Sequence, residues 1–144
     1  LIVIDANLLL YAYNARTEQH LAARAWLNQI FASAQDIGLP MQSILAFIRI
    51  STNPRLSDVS STIDTALAVA DSWLTLPHVR MLVPGPEHWA IFKSLCLSTA
   101  LTGDLSTDAH LAALAMEYNA TLYSTDRDFA RFPGLRWANP LVQP

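Results

Sequence analysis

Leu1-Ile2-Val3-Ile4-Asp5-Ala6-Asn7 decides the fold class. Four branched apolar residues in succession read as a strand buried on both faces, as the centre of a parallel sheet requires. The run then stops on a carboxylate. Ligands of open α/β sheets gather at the carboxyl ends of the strands, so Asp5 stands where chemistry is usually done. Asp is also a favoured N-cap, and on this stretch alone a capping role is equally supported.

The chain beyond it alternates between helical and strand patterns. Ala6–Asn14 reads as a short helix and Glu18–Ala34 as a second, with Leu21, Ala25, Trp26, Leu27 and Ile30 inward and His20, Arg24 and Gln29 toward water. Gly38-Leu39-Pro40-Met41 reads as a strand, and Pro40 makes it an edge strand or a strand beginning. Ser43 opens a helix that Asn53-Pro54 ends. Arg55–Ser60 is a polar loop, the best candidate for a mobile segment. Ser61-Thr62-Ile63-Asp64 resembles a capping box for a helix to about Leu76, with Ala66, Leu67, Ala70, Trp73 and Leu74 packing. Val79–Val83 reads as a strand, and Pro84-Gly85-Pro86 as a turn with Pro86 at the first position of a helix to about Leu101. A further helix starts at Thr107-Asp108-Ala109-His110, and Ala120–Ser124 is another buried-type strand, followed by Thr125-Asp126-Arg127-Asp128. A helical turn at Phe129–Phe132, a short strand at Leu135–Trp137 and a proline-flanked tail, Asn139–Pro144, complete the pattern. It implies an α/β fold with a largely parallel central sheet flanked by helices, in a single domain over 1–144.

The bulk numbers agree. A length of 144 residues suits one domain with a core of its own. The composition is 52% hydrophobic, rich enough to suggest that apolar surface is buried against a partner. No apolar run reaches the roughly 20 residues of a membrane span, and the N-terminal run lacks the basic flank of a signal peptide. Cys96 is the only cysteine, which leaves no intrachain disulfide and no cysteine zinc cluster and makes the cytoplasm the natural compartment. A net charge of -3 excludes a generally basic nucleic-acid coat. His20 and His88 read as ordinary helix histidines.

Asp5 and Asp126 each lie just past a buried-type strand, and Asp108 lies at the start of a helix. If the two strands are neighbours, the three carboxylates converge on one edge of the sheet. Clustered acids repel one another unless something neutralises them. Carboxylates without His or Cys favour a hard cation such as Mg²⁺ or Mn²⁺, which can activate water and hold a phosphate for attack. That combination fits metal-assisted phosphodiester hydrolysis. Each acid also has a plainer role: Asp108 as a first-turn helix acid, Asp126 as a cap of the following turn, Asp128 as a surface partner for an arginine, Asp104 as a loop residue.

The motifs Leu1–Asn7, Thr107–Ala115 and Ser124-Thr125-Asp126-Arg127-Asp128-Phe129, in this order, resemble the PIN-domain ribonucleases, and most of all the VapC toxins of bacterial toxin–antitoxin pairs. Trp73-Leu74, Val79–Gly85 and Phe132–Trp137 with Asn139-Pro140 are in the same style, so the resemblance runs over essentially the whole chain. It implies a Mg²⁺- or Mn²⁺-dependent endoribonuclease cutting structured RNA, a tRNA or an rRNA loop, with metal-activated water. It implies a small VapB-like antitoxin as partner and a homodimer. Asp5, Asp108 and Asp126 match the catalytic, metal-binding acids. Asp128 matches a further supporting acid, and Thr125 or Asn7 is a candidate to orient a metal-bound water. Arg49, Arg55, Arg127 and Arg131 are candidates for phosphate contacts, with structural ion pairs as the alternative.

One departure matters. The resemblance implies a glutamate in the helix after the second strand, where this chain has Leu45-Ala46-Phe47-Ile48-Arg49. Ala46 neither binds metal nor accepts a proton, which points to partial metal binding with impaired catalysis. Two other readings stand beside this one. An inactive toxin-like module would bind an antitoxin and perhaps RNA. A haloacid-dehalogenase-like phosphatase would need an Asp at position 7, where Asn7 stands, and would have only Lys93 as its lysine.

Overall fold

The computed structural model describes residues 1–142; Gln143 and Pro144, the end of the expected proline-flanked tail, lie outside the described residues. The elements run β1 (Ile2–Ile4), α1 (Ala6–Tyr13), α2 (His20–Phe31), β2 (Ile37–Pro40), α3 (Met41–Ser51), α4 (Ile63–Leu74), β3 (Val79–Leu82), α5 (His88–Thr99), α6 (Ser106–Glu117), β4 (Thr121–Tyr123) and β5 (Arg136–Ala138), with 3₁₀ turns at Gly103–Leu105 and Arg127–Arg131. The five strands form one sheet in the order β3-β2-β1-β4-β5. Every pairing is parallel. The α/β reading with a parallel sheet between helices therefore holds, and β1 is its centre.

Side-chain alternation along β1 sets the two layers of the core. Ile2 and Ile4 face Leu8, Leu9, Leu27, Ile44 and Phe47 from α1, α2 and α3, joined by Ala66 and Ala70 of α4. Val3 faces the other way, into Leu95 of α5, Leu111–Ala115 of α6, Leu82 and Leu122. Phe47 is fully buried and meets Tyr13 edge-on at 5.3 Å and Trp73 at 4.9 Å, which ties α1, α3 and α4 together.

Several local expectations change. Pro40 is neither on an edge nor at a beginning. It ends β2, which lies between β1 and β3. The missing N–H is tolerated there because the chain turns straight into α3, whose N-cap Pro40 is. His20 is buried, with Nδ1–H donating to the Tyr11 carbonyl at 2.9 Å, while Leu21 is 80% exposed. The inward stripe of α2 runs instead through Ala23 and Leu27. Leu67 of α4 is exposed too. Ser61 does not cap α4, because Thr62 occupies that position and Ser61 bonds the Tyr13 hydroxyl. Within the exposed Arg55–Ser60 loop, Asp58 accepts from Asn14 Nδ2 at 3.0 Å, and just after it the Ser61 N–H donates to the Ser51 carbonyl at 2.7 Å; neither bond bears on the loop's expected mobility. α5 begins two residues after Pro86, because the Glu117 carboxylate takes the N–H groups of Gly85 and Glu87 at 2.8 and 2.9 Å and holds that turn open.

Gly38 faces the same layer as Val3, and a Cβ there would lie 2.4 Å from Leu82 Cδ1 and 2.8 Å from Cγ. Leu82 is buried and has little room to yield. Gly38→Ala is expected to destabilise the fold by about 1–3 kcal/mol through overpacking, read as a lower midpoint in urea; an unchanged midpoint would show that Leu82 repacks freely.

Candidate functional site

The sheet order reverses direction at β1: β2 and β3 lie on one side, β4 and β5 on the other. This switch point opens a crevice beyond the carboxyl ends of β1 and β4, where α/β sheets bind ligands. The register Ile4↔Tyr123 makes Asp5 and Ser124 the next residues out of the two strands. Asp5 extends the ladder with its N–H on the Tyr123 carbonyl at 3.0 Å.

Ser124 is fully buried, and its hydroxyl organises the crevice. It donates to Asp5 Oδ2 at 2.7 Å. It accepts from Asn7 Nδ2 at 3.1 Å and from the Asp126 N–H at 3.0 Å. One donor and two lone pairs are all that a hydroxyl has, and all are used. The other Asp5 oxygen accepts from the Ala6 N–H at 2.7 Å, so Asp5 caps α1 and lines the crevice at once. Asp126 likewise caps the following turn through the Asp128 N–H at 2.9 Å. For both residues the capping role and the crevice position coincide.

Asp108 enters from the first turn of α6. Carboxylate oxygens of Asp108, Asp126 and Asp128 all lie within 4.8 Å of one another. Two of the three expected acids, Asp108 and Asp126, are thus at this spacing together with Asp128. Asp128, expected as a support, stands in the cluster, partnered only at the surface by Arg131 at 3.3 Å. Asp5 is not one of these three, although its charge acts on Asp108. Thr125 makes no side-chain hydrogen bond among the described residues, while its neighbour Ser124 uses its hydroxyl on protein partners alone. Asn7 orients Ser124, while its Oδ1 is buried without a protein partner among the described residues. Sequence reasoning missed Ser124 as a site residue. The available signal was its place in the alternation beyond β4: it shares a face with Leu122 and is the polar residue just past an interior strand.

The electrostatics follow from crowding. Burial pushes the Asp5 carboxyl above its usual range, the Ser124 and Ala6 hydrogen bonds pull it back, and Asp126 adds to the rise. Asp108 is pushed up to about 6 by burial and then by the charges of Asp126, Asp5 and Asp128, with Arg131 opposing. Carboxylates that hold protons this tightly, arranged at ligand spacing and with only oxygen donors, fit a hard divalent cation such as Mg²⁺ or Mn²⁺.

Ala46 stands half-buried on α3, in a groove of about 540 Å³ that also takes in Leu45, Arg49, Thr107 and His110. Gln42 Nε2 donates to the Thr107 carbonyl at 3.3 Å and ties α3 to the start of α6. The α3 side of the site thus presents alanine and arginine but no acid. Arg127 and Arg55 are exposed.

In the cation-free fold Asp108 keeps its proton to about pH 6, against 3.8 for the ordinary group. The folded state therefore binds more protons in that window, and its stability falls as pH rises through it. Asp108 is largely solvent-screened, so Asp108→Asn is expected to stabilise the chelator-treated protein by on the order of 1 kcal/mol at pH 7.5 and hardly at all near pH 4. Thermal melts at the two pH values check this; a destabilised variant at pH 7.5 would contradict it.

Comparison with known proteins agrees with this geometry. The PIN domain family matches residues 2–135. Ribonuclease VapC43 of Mycobacterium tuberculosis is 38% identical over 141 residues, covering 98% of this chain and 96% of the relative. Ribonuclease VapC33 of the same organism is also 38% identical over 141 residues, covering 98% and 99%. Among solved structures, VapBC2 from Rickettsia felis bound to a DNA fragment from its promoter superposes with a TM-score of 0.69 at 16% identity, covering 96% of this chain and 97% of that one. A PIN-domain match over nearly the whole chain, near-full-length VapC relatives and a five-stranded parallel sheet with acids at its switch point lead to one assignment: the chain belongs to the PIN-domain family and, within it, to the VapC ribonuclease toxins.

Proposed function

We propose that this chain is a metal-dependent endoribonuclease whose cation is held by Asp108, Asp126 and Asp128, with Asp5 completing the negative field of the crevice. The observation that carries the reading is the convergence of those three carboxylates within 4.8 Å beside the switch point. A bound Mg²⁺ or Mn²⁺ would neutralise the acids, polarise the scissile phosphate and lower the pKa of an attacking water. The chain's own residues do the positioning. Ser124 holds Asp5 and the Asp126 backbone in one arrangement, Asn7 fixes the Ser124 hydroxyl, and Asp126 fixes Asp128 through its backbone N–H. Arg131 pairs with Asp128 at 3.3 Å from outside the cluster.

The substrate class in this reading is structured RNA, a tRNA or an rRNA loop, supported by the near-full-length relatives named as ribonucleases. A VapB-like antitoxin is the partner, supported by the VapBC likeness. The chain works as a cytoplasmic homodimer, in line with its apolar composition; no helix among the described residues is long and apolar enough to cross a membrane. Ala46 lowers the rate without removing the site, because the three-carboxylate cluster draws no ligand from α3. The alanine also favours a second reading, an inactive module that binds the antitoxin. The phosphatase alternative is not supported, since the family match is to the PIN domain.

End-labelled total tRNA and rRNA, incubated with Mn²⁺ or with chelator, decide between these readings. Slow cleavage that needs Mn²⁺ and disappears in Asp126→Asn is expected. Ala46→Glu should raise the rate by roughly 100-fold or more, the typical scale of a restored acid–base group. Cleavage that persists in chelator would end the metal reading, and absence of cleavage by both chains would favour the binding module.

Replacing Ser124 tests the positioning role. Ser124→Ala leaves Asp5 Oδ2 and the Asp126 N–H without their partner, and a cost of about 1–3 kcal/mol in stability is expected. Calorimetric Mn²⁺ titration should show weaker binding in the variant as well; full-strength binding would reduce Ser124 to a purely structural role.

A further inference from the structure

Beside the first turn of α6, which carries Asp108, α5 and α6 line an open pocket of about 310 Å³ formed by His88, Trp89, Phe92, Ser106, Thr107 and His110. One wall is aromatic and open. Trp89 is 68% exposed, and its ring lies 5.7 Å from that of Phe92 at 35°. His88 stacks on Phe92 at 6.3 Å and 13°, which braces the wall from the buried side. The other end is polar. His88 Nε2 and His110 Nδ1 share a hydrogen bond of 2.9 Å, which fixes the His110 ring and leaves its Nε2 free of protein partners among the described residues. The hydroxyl-bearing residues Ser106 and Thr107 stand beside it, both exposed.

Thr107 and His110 also line the groove that contains Ala46 and Arg49. The two hollows thus meet at Thr107 and His110 on α6, and Thr107 precedes Asp108 directly in the chain. A cation lies on either side of the two hollows: Arg49 at the α3 end, and exposed Lys93 one helical turn beyond Trp89 on α5. An exposed indole beside imidazole and hydroxyl groups suits a flat heteroaromatic ring with polar edges, and the flanking cations suit the phosphates on either side of it. The buried anchor of a protein partner would leave the polar end of this pocket unsatisfied.

We propose that the pocket between α5 and α6 holds a nucleobase turned out of the RNA strand whose neighbouring phosphate lies at the acid cluster. The inference rests on the ribonuclease reading and adds a substrate subsite to it. Stacking on Trp89 is tolerant of base identity, so the pocket positions the strand, while His110 Nε2 and the hydroxyls contact the base edge.

The test is fluorescence anisotropy of a labelled RNA stem–loop, and of the same stem–loop with abasic loop positions, with Ca²⁺ as the cation. The full chain is compared with Trp89→Ala and Trp89→Phe. Trp89 is exposed and the variants are expected to fold, which circular dichroism checks. Trp89→Ala should weaken binding of the intact stem–loop by about 5- to 100-fold, the scale of one lost stacking contact. Trp89→Phe should retain most of the affinity, and the abasic RNA should bind all three proteins alike. Equal affinity of Trp89→Ala and the parent chain for the intact RNA would overturn the subsite and leave the ribonuclease reading standing. So would an equal loss on both RNAs. A drop in light-scattering mass from dimer to monomer in Trp89→Ala would assign the face to a second copy instead. If the parent chain binds neither RNA, the ribonuclease reading fails and the subsite fails with it.

Discussion

The arrangement of the acids depends on the buried hydroxyl of Ser124. Parallel pairing of β1 with β4 delivers Asp5 and Ser124 side by side, but pairing alone would leave two carboxylate-bearing loops free to splay. The hydroxyl closes that freedom by joining Asp5, Asn7 and the Asp126 backbone at 2.7, 3.1 and 3.0 Å. Through Asp126 the order passes to Asp128, whose N–H the Asp126 side chain accepts at 2.9 Å. A chain of short polar links thus runs from the centre of the sheet to the outermost acid. Buried polar networks of this kind are costly when half-satisfied and rigid when complete.

Gathering these acids works against the fold. Burial and three neighbouring carboxylates hold the Asp108 proton to about pH 6. Two local features offset part of the repulsion: Asp108 lies in the first turn of α6, where the helix dipole favours an anion, and Arg131 pairs with Asp128. The residual repulsion is what a divalent cation would relieve, so the same crowding that weakens the free protein would favour binding of such an ion. The loss is affordable because the two layers of the core are anchored away from the crevice, by Phe47, Tyr13 and Trp73 on one face and by Leu95 and the α6 alanines on the other.

The fold was legible where one physical signal dominated. Ile2-Val3-Ile4 reads as a strand because a branched apolar run leaves few alternatives, Thr121-Leu122-Tyr123 because β-branched and aromatic residues favour strands, and the carboxylates beyond their ends marked the crevice. The motif order also identified the family. Reading was weaker where tertiary contacts outweighed local pattern. His20 is polar by type, yet a carbonyl on α1 satisfies it in the interior and Leu21 turns to water. Pro40 signals an edge, yet the abrupt turn into α3 lets it end an interior strand. At the site, charge drew attention to the aspartates and away from Ser124, whose importance lies in three partners that are distant or backbone atoms. Asp128 looked peripheral because its role depends on the 3₁₀ turn that aims it back toward Asp108.

Position 46 fits the same balance. An alanine there costs α3 nothing as a helix, since Ala is the best helix former and the helix is anchored by Ile44 and Phe47 rather than by residue 46. It also places no further negative charge near a crevice that already holds four aspartates in mutual repulsion. The acids that remain come from β1, α6 and the β4 turn, and their order runs through Ser124, with no link through α3. Removing an acid from α3 therefore trades charge for stability in the free protein while the polar network stays whole. The groove at Ala46 is lined also by Arg49 and His110, so the α3 side of the site carries a cation and no carboxylate.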